Sequence, residues 1–223
     1  MALPQRFLIF ILYLAFASCK MDETHDVNQR KIFTEYELFY NKSEDRTYAK
    51  AQFRHKKSNG NVLRLTSPSF IHFSDAPLEY NTLTQSYEKI FDGFIEKGEF
   101  LWEDLDGNRY RNFITLTPIE IKDIQELNTQ LGETITWSGA PLRNNETVML
   151  FLIPDSPGAP RYVTEETDKD HFTIPTSFSS SYSGQTARVI IQRTHSSEPG
   201  QKTEAGGKLS GRYRDEEKKI LFR

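Results

Sequence analysis

Asp104-Leu105-Asp106-Gly107-Asn108 is the segment whose residue types and spacing come nearest to chemistry. Side-chain oxygens at alternate positions around a tight turn are what a hard cation such as calcium takes as ligands. The segment lacks a glutamate at the twelfth position, and strand patterns flank it on both sides. Asp-Gly between two strands is hairpin chemistry. The reading is therefore a turn with no resident metal, and Asp104, Asp106 and Asn108 are weak cation candidates only. Asp168 and Asp170, near Glu165 and Glu166, form a second acidic loop. His25, His55, His72, His171 and His195 are scattered, with no pair at zinc-ligand spacing. Ser179–Ser181 lack the Gly-x-Ser-x-Gly elbow of a nucleophilic serine. No phosphate-cradling loop and no dinucleotide fingerprint is present, so no cofactor is expected. Tyr80, Tyr87, Trp102, Tyr162 and Tyr182 are aromatic residues near expected loops that offer platforms for a sugar or peptide, although core packing claims most such rings.

The single cysteine, Cys19, has a distinctive setting. Arg6 supplies a positive charge, Phe7 to Phe16 is an unbroken apolar run, and Ala17-Ser18 are small residues directly before the cysteine. A charged start, an apolar middle and small residues at the cut are the layout of a secretory signal peptide. Leu14-Ala15-Phe16-Ala17-Ser18-Cys19 resembles the lipobox of bacterial lipoproteins, departing from it at Phe16, where the family more often has leucine. The resemblance implies cleavage after residue 18 and acylation of Cys19. The apolar run of ten residues is too short to cross about 30 Å of hydrocarbon, so the expected membrane attachment is through lipid. Lys20 followed by Asp22 and Glu23 resembles the basic-then-acidic signal of surface-exported lipoproteins of the Bacteroidetes. The implied location is the outer membrane, lipid-anchored, with display at the cell surface.

Removing 18 residues from 223 leaves 205, and the loss of Arg6 takes the net charge from −3 to −4. Mild acidity with mixed signs argues against a nucleic-acid partner, which requires a basic stripe. With no second cysteine the fold has no internal disulfide to make. Residues 19–30 are polar and without periodicity, which predicts a lipidated, flexible tether.

Beyond the tether, strand signals dominate. Thr47 to Phe53 alternates, with Ala49, Ala51 and Phe53 on one face, and Ser58-Asn59-Gly60-Asn61 marks a hairpin turn. Ile135 and Trp137 alternate with polar neighbours, as do Ala187, Val189 and Ile191. Val148 to Ile153 is a continuous apolar run, which predicts a strand buried on both faces, and residues 195–208 read as a long mobile loop. Short strands separated by turns at regular spacing predict an all-β chain of two tandem antiparallel immunoglobulin-like β-sandwiches, residues 31–125 and 126–223. The expected role is structural, adhesive or ligand-binding and non-enzymatic, with a protein or glycan partner. The alternatives are an envelope hydrolase acting on glycan or peptide, and an accessory subunit of an outer-membrane transport or assembly complex. Paired carboxylates leave no mark in a sequence, which keeps the hydrolase in view.

Overall fold

A computed structural model describes residues 22–122, 124–157 and 161–223, and within them the chain is all-β apart from one short helix, Thr176–Ser179, and three 3-10 turns. The strands in order are β1 (Asp22–Glu23), β2 (Ile32–Asn41), β3 (Arg46–His55), β4 (Val62–Arg64), β5 (Phe70–Phe73), β6 (Ala76–Pro77), β7 (Glu79–Asn81), β8 (Ser86–Asp92), β9 (Lys97–Glu103) and β10 (Arg109–Thr115). They continue with β11 (Ile119–Ile121), β12 (Glu126–Leu127), β13 (Glu133–Gly139), β14 (Glu146–Pro154), β15 (Tyr162–Glu166), β16 (His171–Ile174), β17 (Thr186–Ser197), β18 (Gly207–Arg214) and β19 (Lys218–Phe222). Cys19 and the signal-peptide residues lie outside the described residues.

One sheet of twelve strands runs in the order β1-β4-β3-β2-β18-β17-β14-β15, with β7, β8, β12 and β19 branching from it. Two smaller sheets accompany it, β10-β9-β5-β6 and β11-β13-β16. The period-two pattern explains the arrangement. In β2, Ile32, Tyr36, Leu38 and Tyr40 are buried, while Glu35, Glu37 and Phe39 face outward. β3 buries Ala49, Ala51 and Phe53, the face its alternation predicts. Tyr36 stacks on Phe100 of β9 at 5.1 Å between ring centroids, and Phe53 packs on Trp102 at 5.0 Å, so the first small sheet backs the large one. Aromatic pairs of this kind add to the burial that drives the packing.

The large sheet crosses the expected boundary between residues 125 and 126. β18 pairs in parallel with β2 over eight residues, from Gly207 opposite Thr34 to Arg214 opposite Asn41. Two tandem sandwiches would each close their own sheets; here both halves contribute to one. A parallel contact between segments 173 positions apart carries no local turn signal, and period-two patterning specifies which face a strand buries but not which strand lies beside it.

Three further expectations differ from the structure. The tether is folded from Asp22 onward: β1 pairs with β4, 3-10 turns follow at Thr24–Asp26 and Gln29–Lys31, and Thr24 and Gln29 are buried. β14 is buried on one face only; Val148, Leu150 and Leu152 point into the core, whereas Met149, Phe151 and Ile153 lie on the partly open outer side. The 195–208 segment is pinned: β17 continues to Ser197, Gln201 exchanges hydrogen bonds with Arg111 and Asn112 of β10, and Thr203 Oγ1 donates to the Ile32 carbonyl at 2.7 Å.

Candidate functional site

A concavity of about 590 Å³ lies where the end of β13 meets the start of β16. Its lining brings together Lys122, Trp137, the 139–142 segment, Asp168, Asp170 and His171. Trp137 falls inward by the alternation of β13, and its ring centroid sits 4.7 Å from that of Phe172 on β16. Its backbone N–H donates to the Asp170 carbonyl at 3.2 Å, which brings the acidic loop to the groove. The chain turns at Gly139 with φ +150°, where a Cβ would meet the Pro118 carbonyl oxygen at 3.0 Å, so a side chain is poorly accommodated there.

The wall formed by residues 139–142 is held from behind by a buried ion pair. Arg193 of β17 and Glu146 of β14 both have side chains only 2% exposed, and they meet at 2.5 Å. The Arg193 guanidinium also donates to the carbonyls of Ala140 at 2.7 Å and Pro141 at 3.0 Å. Glu146 accepts from the Arg143 N–H at 2.9 Å. Burial alone would raise the Glu146 carboxyl, but the Arg193 hydrogen bond, the Arg143 N–H and both guanidinium charges together hold it below the usual carboxylate range. This pair was not singled out from the sequence. A signal existed: Arg193 shares the parity of Ala187, Val189 and Ile191, which places a cation at a core position of a patterned strand.

At the groove rim His171 Nδ1 lies 3.0 Å from Asp170 Oδ1. The Asp170 carboxyl is lowered by that hydrogen bond first and by the charges of His171 and Lys122 after it. Ser138 turns its hydroxyl to the Glu120 carbonyl at 3.4 Å. The groove thus offers both signs of charge around an apolar floor, an arrangement suited to gripping a partner of mixed charge.

Asp104, Asp106 and Asn108 are not arranged as an outward-facing oxygen shell. Asp104 is 2% exposed and serves its own turn. Oδ1 accepts from the backbone N–H groups of Asp106 and Asn108, each at 2.9 Å, and Oδ2 accepts from Asn108 Nδ2 at 3.0 Å. Gly107 follows at φ +80°, completing a hairpin turn between β9 and β10. Glu165 and Glu166 lie on β15, apart from the groove that Asp168 and Asp170 line. Among the aromatic candidates, Trp102, Tyr87 and Tyr182 are core residues, and Tyr80 and Tyr162 pack partly buried against the core.

No protein-family model matches the chain, and no curated protein matches it. One solved structure that it resembles comes from work described as structural insight into host cell surface retention of a 1.5-MDa bacterial ice-binding adhesin. The two share 10% identity over 85% of this chain and 64% of that one, with a TM-score of 0.21. The chain thus spans less than two thirds of that structure's length, and a superposition at that score does not establish a common fold.

Proposed function

We propose that this chain is a lipid-anchored protein of the bacterial outer membrane, displayed at the cell surface, with a non-enzymatic adhesive or structural role and a protein partner held at the 137–142/168–171 groove. The anchor is Cys19, on the strength of its lipobox-like setting. The body is all-β, and its two halves share the large sheet through β2 and β18. The observation that carries a binding role is the use to which buried charge is put. Asp104 caps its own turn, Arg193 and Glu146 brace the groove wall, and Asp215, fully buried, accepts from Lys42 Nζ and from the Ile121 N–H, each at 3.0 Å. These groups hold backbone in place, which favours a rigid display frame.

Localisation of wild type and Cys19→Ala by membrane fractionation with protease added to intact cells tests the reading. The wild type is expected in the outer membrane and protease-accessible, and Cys19→Ala released from it. A wild type without lipid whose location is unchanged by Cys19→Ala overturns the proposal; a membrane-bound but protected protein removes surface display alone.

A further inference from the structure

The folded start of the body limits how far its first strand can stand from the bilayer if Cys19 carries lipid. Three peptide steps separate Cys19 from Asp22, and three residues of extended chain reach at most about 11 Å. β1 runs parallel to β4, with Asp22 opposite Leu63 and Glu23 opposite Arg64. The chain therefore enters from the Asn61 side of β4, where Asn61 Nδ2 donates to Asp22 Oδ2 at 2.8 Å. That side is the end of the large sheet bearing the 55–61 hairpin. Its tip carries Lys56 and Lys57, both exposed and, among the described residues, without a carboxylate partner. The Lys56 N–H donates to the Lys31 carbonyl at 2.6 Å, and Lys31 bonds Glu204, so the 3-10 turn and the 198–206 segment share the same end.

The opposite end is marked by Asn41 opposite Arg46 and by Arg46 opposite Asp92. Ten residues of β2 separate the two ends, a span of about 30 Å at the rise of a strand. Charges interact with a charged surface within a Debye length of about 10 Å. An attachment as short as three residues keeps the hairpin end within reach of headgroups at every tilt, and the opposite end only when the strands lie along the surface.

We propose that the 55–61 hairpin end is a membrane-facing surface, with Lys56 and Lys57 against anionic lipid headgroups and the strands leading away from the bilayer toward the 42–45 and 215–217 turns. This inference rests on the lipid anchor at Cys19. It assigns the hairpin an interfacial task that its sequence, a plain Asn-Gly turn, does not suggest.

The full-length lipidated protein is reconstituted into phosphatidylglycerol–phosphatidylethanolamine vesicles containing headgroup-labelled nitroxide lipid. A fluorophore is placed on Ser58→Cys or, separately, on Asp92→Cys, a position whose side chain is fully exposed. Acylated Cys19 has no free thiol, so the label goes to the introduced residue. Quenching at position 58 and little at position 92 is the expected result; equal quenching, or more at 92, overturns the orientation. Lys56→Glu with Lys57→Glu, in the Ser58→Cys background, is expected to reduce quenching in these vesicles and not in purely zwitterionic ones. Unchanged quenching in both overturns the headgroup contact. Intact mass separates the two levels: a chain lacking the acyl mass at Cys19 overturns the anchor and this inference together, whereas an acylated chain with the wrong quenching pattern overturns this inference alone.

Discussion

Arg193 and Glu146 show what a single buried pair does here. Their charges are removed from water, and each is compensated by the other and by neighbouring backbone groups. Removing one partner strands the other, at a typical cost of about 3–5 kcal/mol. Glu146→Ala is thus expected to lower the urea midpoint sharply, while Glu146→Leu with Arg193→Met restores much of the loss. The pH dependence follows from the lowered Glu146 carboxyl. Its stabilising effect is complete above the ordinary value of 4.5 and is lost as pH falls through the lowered folded-state value. Glu146→Gln should flatten the acid limb of the stability profile, read by thermal unfolding from neutral pH downward. Lys42 shows the opposite sign. Its hydrogen bond to Asp215 raises it above its ordinary value of 10.5, and that contribution fades only as pH rises beyond this range.

Among the elements, the hairpins were legible because turn chemistry is local. Asp106-Gly107 joins β9 and β10 with Gly107 at φ +80°, as its residue types require. In the 55–61 hairpin the positive φ falls at Lys56, and Gly60 is needed because a Cβ there would meet the His55 carbonyl. At Asp104–Asn108 the sequence does not carry the direction of the Asp104 carboxylate, which turns inward to the N–H groups of its own turn. Close packing between strands was equally silent. Gly98 of β9 stands where a Cβ would come within 2.1 Å of the Phe73 ring. That ring is fully buried and packed against Phe91 and Phe100, so it has little freedom to yield. Gly98→Ala should destabilise by about 1–3 kcal/mol, the usual cost of overpacking a core. Denaturant titration with Trp102 fluorescence reports it, and a stability within error of wild type would contradict the packing described.

For the whole molecule, the shared sheet sets the cooperativity. One apolar core runs through both halves, and β18 lies between β2 and β17. The chain has two tryptophans, Trp102 in the first half and Trp137 in the second. Trp102→Phe and Trp137→Phe variants leave one reporter each. Their unfolding curves should coincide after correction for each variant's own stability, since coincident probes are the mark of a two-state transition. Two separated transitions would show that the halves melt independently despite the β2–β18 pairing.

The sequence by itself determined the all-β class, the inward faces of β3, β13 and β17, the positions of the tight turns and the setting of Cys19. Each of these follows from neighbours a few residues apart, through the two-residue repeat of a strand, the backbone freedom of glycine or an apolar run of fixed length. Only the tertiary structure decided that β18 lies beside β2, that Arg193 meets Glu146, that Asp168 and Asp170 share a groove with Trp137, and that the residues after Asp22 are folded. Those contacts join distant segments, and strand patterning encodes a face to bury without encoding the partner that buries it.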